Sequence, residues 1–381
     1  MTPLDTAALL RAGRQAGLAA VGVASADAFD QARAVIEERK RDGLHGGMEF
    51  TYRHPARSAD PHRTLPSARS IVVGAFDYHR HERPVPLAVD AGPATGQASD
   101  PTMGPGPFGR VAAYAREDHY SALRAALGVV AEMLADAGHR AVVLADQNNM
   151  IDRAAAHRAG LGWWGKSSNI LVPDVGSMVV LGSVLTDAEL EVTEAPVADR
   201  CGSCRECLDG CPTGAIVDSG VVDARRCLAW LVQAEGIFPA EYRLALGDRV
   251  YGCDDCQDVC PPNRVRVRRP AAATDGHKWV AVLELLAATD DQLMDRYGRW
   301  YIPGRQPRYL RRNALLVLGN VGDGRAADVV SAVDRYLADP DAMLRAHAVW
   351  AAKRLGLGAR IPTHDPDEAV VIELERPVAA R

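Results

Sequence analysis

Cysteine is absent from most of this 381-residue sequence, and all eight cysteines lie between residues 201 and 260. The sequence also lacks any apolar run of about 18 residues, the length that a membrane-spanning helix needs. The segment from Met1 to Ala26 has no basic region before its apolar part. We therefore expect neither a signal peptide nor a membrane span, and we predict a cytoplasmic protein whose cysteines serve as metal ligands.

The charge balance is close to neutral, with 44 Lys and Arg against 49 Asp and Glu and a formal net charge of -5. Such a balance excludes a chain that is basic throughout. A hydrophobic content of 48% is enough for well-packed cores, and the length indicates about two or three domains.

The spacing of the first cysteines is typical of bacterial ferredoxins. Cys201, Cys204, Cys207 and Cys211 follow the pattern C-x2-C-x2-C-x3-C and are followed by Pro212. In that pattern three thiolates hold one [4Fe-4S] cluster, while the fourth reaches a second cluster.

The other four cysteines complete two sets of four. We assign Cys201, Cys204, Cys207 and Cys260 to one cluster, and Cys211, Cys227, Cys253 and Cys256 to the other. The isolated position of Cys227 leaves the cross-ligation open. Two zinc sites and a disulfide scaffold are the alternatives, and the spacing with its two Cys-Pro endings favours iron and sulfur.

Before the cysteines, helix and strand patterns alternate, which predicts an α/β domain. The predicted helices cover residues 4–16, 26–41, 118–137 and 150–159, and the predicted strands cover 19–24, 70–76, 141–145, 169–172 and 178–186. Residues 82–109 are rich in Pro, Gly and Asp, and we predict a long mobile loop there.

The sequence of a glycine-rich segment, residues 160–167, matches two nucleotide-binding motifs. Those motifs need a strand before the loop and a helix after it, so that backbone N–H groups meet phosphate at a helix N-terminus. Here the predicted helix precedes the loop and the strand follows it. The order of elements therefore disfavours nucleotide binding, and Lys166 could equally be a loop lysine in water.

The C-terminal part is predicted to be helical and repetitive. The segment from Leu310 to Gly322 recurs from Leu344 to Gly356, with an amphipathic helix at 326–337 between them, which indicates a helix pair of HEAT type. Arginines cluster on either side of residue 280, and we interpret them as a polyanion-binding surface, with solvated ion pairs as the alternative. They are Arg264, Arg266, Arg268 and Arg269, then Arg296, Arg299, Arg305, Arg308, Arg311 and Arg312 around Trp300 and Tyr301.

Several segments together resemble the epoxyqueuosine reductases, a family of cobalamin-dependent iron–sulfur enzymes that complete queuosine in tRNA. The resemblance covers nearly the whole chain and is carried by residues 43–48, 114–120, 158–166, 223–227, 251–261 and 312–320, and by Arg57 before Asp60 and Pro61. The order of these segments is as diagnostic as their content.

The resemblance implies an α/β cobalamin-binding domain at 1–190 and a ferredoxin-like double [4Fe-4S] domain at 191–275. It further implies a HEAT-like helical domain at 280–360, and we interpret residues 361–381, which follow the helical repeat, as a tail. The expected cofactors are two [4Fe-4S] clusters and cobalamin. The expected partners are the anticodon arm of a tRNA and an external low-potential electron donor, and we expect a monomer with no membrane partner.

The resemblance also implies individual roles. Asp146 is the expected proton donor, although Gln147, Asn148 and Asn149 depart from the small residues and proline of the family. The residues expected to bind cobalamin in this protein are Arg57, Val111, Asp146, Ile170, Leu181, Asp254 and Asp255. Of these, Val111, Ile170 and Leu181 are expected to act through backbone atoms. Lys166 is expected to face the corrinoid or the substrate.

The chemistry that the resemblance implies is reduction of the epoxide by cob(I)alamin, which the two clusters supply with low-potential electrons. A carboxylic acid is needed to protonate the departing oxygen, and Asp146 would need a raised pKa for this. A helix N-cap is the alternative role for Asp146. Two other functions stay open: reduction of another small epoxide or halide, and a non-catalytic electron-transfer or corrinoid-reactivating role.

Overall fold

The computed structural model describes residues 5–78, 106–193, 197–266 and 278–378. In this part of the chain the strands are β1 Ala20–Ser25, β2 Ser70–Asp77, β3 Phe108–Val111, β4 Ala141–Ala145, β5 Trp163–Trp164, β6 Ile170–Leu171, β7 Val179–Thr186, β8 Ile216–Asp218, β9 Val221–Val222, β10 Arg249–Tyr251 and β11 Trp279–Ala281. The helices are α1 Thr6–Gln15, α2 Asp30–Arg41, α3 Pro55–Ser58, α4 Ala113–Arg116, α5 His119–Asp136, α6 Asp152–Arg158, α7 Glu206–Asp209, α8 Leu228–Leu231, α9 Arg243–Leu246, α10 Asp255–Asp258, α11 Pro261–Arg266, α12 Val282–Ala287, α13 Asp290–Tyr297, α14 Arg308–Val321, α15 Ala327–Leu337, α16 Ala342–Arg354 and α17 Glu368–Glu375.

The described residues divide into two compact units. The first takes them from Met1–Glu82, Glu117–Cys227 and Asp254–Thr274, and the second from Arg83–Arg116, Leu228–Cys253 and Asp275–Arg381. None of the described helices has the length and hydrophobicity needed to span a membrane.

A four-stranded sheet in the order β1-β2-β7-β4 forms the centre of the first unit. The predicted alternation of helices and strands is confirmed, but every neighbouring pair in this sheet is antiparallel. Helix α5 lies close to the middle of the sheet because Gly74 and Gly182 face each other across β2 and β7. A Cβ at Gly182 would lie 2.9 Å from the side chain of Leu127.

The other side of the sheet is covered by short helices and loops. Phe29 and Ile36 from the region of α2, and Ala155 and Ala156 of α6, are buried in one cluster with Ile71 of β2. This packing positions the loop from β4 to α6, which carries Asp146, at one end of the sheet. Of the loop predicted at 82–109, residues 82–105 lie outside the described residues, and its end from Phe108 onward is strand β3.

The second unit combines a small sheet with helices. Strand β3 lies between β10, which runs parallel to it, and β11, which runs antiparallel. The two recurring segments form α14 and α16, which pack on each other, and α15 packs on α16. The helical character predicted for this region is confirmed, and its assignment to the HEAT type stays a prediction.

The segment interpreted from the sequence as a tail contains a helix. Val370 of α17 is fully buried together with Ala346 and Val349 of α16, and Lys353 donates hydrogen bonds to the carbonyls of Glu373 and Leu374 at 2.7 and 2.9 Å. Apolar burial and helix capping therefore hold residues 368–375 against α16, and this part of the chain is not a free tail.

Candidate active site

Four cysteines lie around one cavity in the first unit. Cys201, Cys204, Cys207 and Cys260 contribute to the lining of a space of about 90 Å³, together with Trp163, Lys166, Ser167, Leu171, Arg200, Glu206, Pro261 and Pro262. The first three come from one short segment and the fourth from a distant one. These four cysteines are the set that the spacing assigned to one cluster.

Local structure brings the first three thiols together. The carboxylate of Asp199 accepts a hydrogen bond from the backbone N–H of Cys201 at 2.7 Å, and the N–H of Cys204 donates to the carbonyl of Cys201 at 2.9 Å. The turn that follows leads into α7, which carries Cys207. Cys260 stands directly before Pro261, the first residue of α11, where the absent N–H of proline costs no helical hydrogen bond.

The thiols of this set repel each other's charge when they ionise. Burial, followed by the charges of Cys207, Cys201 and Cys204, raises the pKa of Cys260 to about 12. Burial and the neighbouring cysteines also raise the pKa of Cys207. Four such thiolates require a compensating positive charge, and bound iron supplies it because a coordinated thiol loses its proton. The donor set therefore fits an iron–sulfur cluster.

The second set of cysteines is divided between the units, with Cys253 in the second and the other three in the first. Within the first unit, Cys211 Sγ accepts a hydrogen bond from the N–H of Ala215 at 3.2 Å. The hydroxyl of Thr213 donates to the carbonyl of Arg226 at 2.6 Å, and the Arg226 guanidinium donates to the carbonyl of Thr213 at 2.9 Å. These reciprocal bonds hold the segments that carry Cys211 and Cys227 side by side. All eight cysteines are free thiols, so they form no disulfide scaffold.

A buried hydrogen-bond network joins the segment after Cys256 to the loop before β7. The amide of Asn263 donates to Ser177 Oγ at 3.0 Å and to the carbonyl of Gln257 at 2.7 Å, and it accepts from the N–H of Ser177 at 2.8 Å. Ser177 in turn donates to Gln257 Oε1 at 3.0 Å. The network fixes the second cysteine segment to the sheet of the first unit.

Replacing Asn263 with alanine is expected to destabilise the first unit by about 1–3 kcal/mol, because the buried N–H of Ser177 loses its acceptor. Denaturant unfolding of the cluster-loaded protein measures this loss, and iron content reports whether the cysteine segment stays in place. The matched control is Gln306→Ala, which removes an exposed amide. Equal stability of the two variants would contradict the role of the network.

Asp146 occupies an unusual backbone position at the end of β4. Its φ is 58°, in the left-handed region that aspartate tolerates better than most residues. Ala145 pairs with Gly182, so the chain leaves the sheet at Asp146, where β7 continues through Leu181. Because β4 does not extend along Leu181, the edge of β7 is open at this point. Asp146 is not a helix N-cap, since α6 begins at Asp152 and Ile151 precedes it.

The altered loop after Asp146 is held by one of its unusual residues. The Asn148 side-chain oxygen accepts a hydrogen bond from the N–H of Thr51 at 2.9 Å. The backbone carbonyl of Asn148 accepts a second hydrogen bond from the Ser58 hydroxyl at 2.7 Å. Ser58 ends α3, the helix that carries Arg57. Asn148 therefore links the Asp146 loop to α3, a contact that the sequence pattern did not indicate.

Three titratable side chains interact near this loop. Burial raises the pKa of Asp146, and the charge of Asp118 adds to this while that of Arg124 opposes it. Burial and then the charge of Asp146 raise the pKa of Asp152 to about 8. Burial, followed by the charges of both aspartates, raises the pKa of Tyr120. Asp152 was missed in the sequence, because an acid in the first turn of a helix is explained by the helix dipole without any catalytic role.

The remaining predicted cofactor residues lie in different settings. Arg57 is exposed on α3, Ile170 is buried in β6, and Leu181 lies in β7 beside the open edge. Val111 belongs to the second unit, where its N–H donates to the carbonyl of Lys278 at 2.8 Å. Asp254 and Asp255 lie at the start of α10 in the first unit, and Asp254 is buried.

The six arginines around Trp300 differ in how deeply their side chains are buried. Arg312 is fully buried and donates to loop carbonyls, among them that of Ala234 at 2.7 Å. Arg308 and Arg311 form ion pairs with Asp341 and Asp290. Burial withdraws Arg312, and Arg311 with a side chain only 13% exposed, from a polyanion-binding surface, which corrects their assignment. The side chain of Arg308 is 40% exposed, and its assignment stays a prediction.

The other three arginines of this cluster are exposed. Arg296, Arg299 and Arg305 lie close in sequence to Tyr301, which is 54% exposed, and Arg296 lies 3.8 Å from Glu284. In the first arginine group, only the side chain of Arg264 is described, and it lies 3.8 Å from Glu206. The side chains of Arg266, Arg268 and Arg269, which the sequence predicted to be part of this surface, lie outside the described residues.

Comparison with known proteins supports the cysteine assignment first. Residues 200–263 match the family described as "4Fe-4S double cluster binding domain". The eight cysteines and this match define a double-cluster iron–sulfur protein, so iron and sulfur rather than zinc are the correct assignment.

Similarity over the full length of the chain then identifies the family. It is 31% identical over 373 residues to the epoxyqueuosine reductase of Bacillus cereus, covering 94% of this chain and 93% of that protein. A solved epoxyqueuosine reductase with an epoxyqueuosine-modified tRNA-Tyr stem loop matches with a TM-score of 0.79 at 27% identity, covering 97% and 96% of the two chains. A Bacillus subtilis structure, in which the loop of the catalytic aspartate is swung out of the active site, matches with a TM-score of 0.77 at 27% identity and the same coverage. The chain belongs to the epoxyqueuosine reductase family, which confirms the resemblance and the assignment as an oxidoreductase.

Proposed function

We propose that this protein reduces epoxyqueuosine in tRNA to queuosine, with Asp146 as the proton donor. The observation that carries the proposal is Asp146 itself, which leaves the sheet at an open strand edge in a chain that also holds a double-cluster domain. No described residue is hydrogen-bonded or ion-paired to its carboxyl, so the group is available to a substrate. In a solved relative the loop that is swung out of the active site carries a catalytic aspartate, which supports the same role for Asp146.

Cobalamin is the cofactor that this site would take. When bound, cobalamin would supply the strongly reducing metal centre that reduction of an epoxide needs. Three features of the first unit fit such a group: the exposed Arg57 guanidinium, which has no ion-pair partner among the described residues, the open edge at Leu181, and the apolar Ile170. Arg57 would neutralise an acidic side chain of the cofactor, and Leu181 would contact it through its backbone. The roles of Val111, Asp254 and Asp255 stay predictions.

Proton supply is the chemistry that this chain's own residues carry out. Removing an epoxide oxygen as water consumes two electrons and two protons. An external donor would supply the electrons by way of the clusters, and carboxylic acids can supply the protons. Asp146 and Asp152 interact closely enough that ionising one raises the pKa of the other, so the pair retains a proton after one member has ionised.

This pair predicts how the rate depends on pH. Above about pH 8 the pair loses its last proton, and turnover should fall because no carboxylic acid remains. In Asp152→Asn the Asp146 carboxyl no longer shares a proton with a second carboxyl beside it, so the alkaline fall in kcat should move to lower pH. The pH profile of kcat measures this, with the exposed Asp136→Asn as control. An unchanged alkaline limb in Asp152→Asn would contradict proton sharing.

The tRNA would contact the second unit through its exposed arginines. Arg296, Arg299 and Arg305 are exposed and lie within five residues of the exposed Tyr301 in the sequence, and such a combination suits phosphates and an unstacked base. Arg299 is held in place by the carbonyls of Ala115 and Arg116, each at 2.7 Å. A fixed guanidinium loses little conformational freedom on binding.

The rival function, reduction of another small epoxide or halide, rested on the altered loop after Asp146. Asn148 has a structural explanation, since it ties that loop to Thr51 and Ser58. The altered residue therefore gives no support to a different substrate. The domain boundaries at 1–190, 191–275 and 280–360, and the monomeric state, belong to this proposal as predictions.

The decisive experiment is an anaerobic assay of the protein loaded with iron, sulfide and cobalamin, with a low-potential electron donor and tRNA that contains epoxyqueuosine. Mass spectrometry of the released nucleosides should show the substrate replaced by queuosine. Omission of cobalamin should abolish the conversion. A fully loaded protein that leaves epoxyqueuosine unchanged, while reducing a small epoxide or halide, would overturn the proposal in favour of the rival.

A further inference from the structure

We propose that Lys166 is a positioning residue that sets the reduction potential of the cluster held by Cys201, Cys204, Cys207 and Cys260. The lysine ends the glycine-rich segment 160–167, whose letters suggest a phosphate-binding loop. The structure gives the segment another use, which does not depend on the substrate of the enzyme.

The glycine-rich segment forms a tight β-hairpin. Trp163 and Trp164 of β5 pair with Leu171 and Ile170 of β6, and the turn is closed by a hydrogen bond from the N–H of Gly165 to the carbonyl of Asn169 at 2.8 Å. At Gly165 an added Cβ would lie 2.2 Å from a methyl carbon of Leu171. Glycine is therefore required by close packing between the two strands, and Lys166 is placed at the tip.

The hairpin tip is fixed to the first cysteine segment by Lys166. Lys166 Nζ donates to the carbonyl of Gly202 at 2.6 Å and to that of Cys204 at 2.9 Å. The carbonyl of Lys166 accepts from the N–H of Gly220 at 2.9 Å. Both side-chain acceptors belong to the turn that presents the first thiols, so the lysine holds that turn in one conformation. The expectation that Lys166 faces the corrinoid or the substrate has no support in these contacts.

The same side chain carries charge to the edge of the cluster cavity. Lys166 and Arg200 line this cavity with the four cysteines, and Glu206 is the acid among the lining residues. A reduced cluster carries one more negative charge than an oxidised one, so a nearby ammonium group stabilises the reduced state. The two hydrogen bonds keep this ammonium group at a constant position, where a free lysine would be screened by water.

Lys166→Met should therefore make this cluster harder to reduce. At a fixed solution potential we expect the ratio of reduced to oxidised cluster to fall about tenfold, which corresponds to about 59 mV for one electron. Lys166→Arg keeps the charge and should leave the ratio close to that of the native protein. Arg205→Gln is the matched control, because it removes a positive charge from the same cysteine segment at a side chain that is 64% exposed and paired with Asp209.

The test is an anaerobic redox titration of the cluster-loaded protein, followed by electron paramagnetic resonance of the reduced clusters. The expected result is that one of the two midpoints falls in Lys166→Met, while Arg205→Gln and Lys166→Arg retain both. The proposal is overturned if Lys166→Met retains both midpoints or shifts them no more than Arg205→Gln does. If Lys166→Met loses half of its iron, the Lys166→Arg variant decides. Native iron content with native midpoints in Lys166→Arg supports the proposal. Native iron content with a lowered midpoint in Lys166→Arg overturns it. Because the readout uses no tRNA, failure here leaves the proposed reductase activity untouched.

Discussion

Replacing Asp146 with asparagine is expected to reduce the turnover of epoxyqueuosine by a factor of about 10²–10⁴, the usual contribution of a positioned general acid. Asparagine tolerates the left-handed φ of 58° at this position and has the same size. The variant therefore removes the proton without disturbing the end of β4. The measurement is single-turnover conversion of epoxyqueuosine by the anaerobic, fully loaded enzyme.

The matched control for this prediction is Asp136→Asn, an exposed residue at the end of α5. Iron content, cobalamin content and tRNA affinity should be the same in the Asp146→Asn, Asp136→Asn and native proteins. An Asp146→Asn enzyme that turns over at the native rate would eliminate this residue as the acid. A variant that loses cobalamin would instead indicate that the carboxyl holds the cofactor.

The second large effect concerns a buried ion pair in the second unit. Arg243 Nη1 lies 2.8 Å from Glu373 Oε2, with only 1% and 2% of the two side chains exposed. Arg376 approaches the other carboxylate oxygen at 3.3 Å, and Arg243 Nε donates to the carbonyl of Phe238 at 3.0 Å. The pair joins α9 to α17, the helix in the segment interpreted as a tail.

Arg243→Met should destabilise the second unit by about 3–5 kcal/mol, because it leaves the Glu373 carboxylate buried with less compensating charge. The double variant Arg243→Met with Glu373→Leu should recover most of this loss, since it removes both buried charges. Denaturant midpoints followed by circular dichroism of the helices measure the difference.

The control for the ion pair is Arg325→Met, which breaks an exposed pair with Asp323 and should cost less than about 1 kcal/mol. If Arg243→Met cost no more than Arg325→Met, the buried pair would have no special role in stability. If the double variant were less stable than Arg243→Met, the charge argument would be refuted.

The cysteine spacing was sufficient to predict the chemistry of residues 201–260, because three thiols within seven residues reach one cluster through a local turn. The partner from a distant segment, Cys260, depends on how α10 and α11 pack, and spacing alone left its assignment open. The glycine-rich segment shows the opposite case. Its sequence matches a phosphate-binding loop. Only the pairing of β5 with β6 explains why glycine occurs there and where Lys166 points.

The arginine cluster shows a further limit of sequence reasoning. Composition indicated six similar cations around Trp300, but Arg312 is fully buried whereas Arg305 is exposed. Helix α14 turns some of its side chains into the core, and its acidic partners, Asp290 and Asp341, come from outside the cluster. Charge counting within a segment therefore overestimated the surface available to a polyanion.

The sequence by itself determined the two iron–sulfur clusters, the order of helices and strands in the first unit, and membership of the epoxyqueuosine reductase family. These properties depend on local spacing and on residue types in order along the chain. Only the tertiary structure decided which arginines are exposed, that Asn148 holds the Asp146 loop, that Asp152 shares the environment of Asp146, and that Lys166 reaches the cysteine turn. Those properties depend on contacts between residues far apart in the chain, where strand register and packing determine which side chains meet.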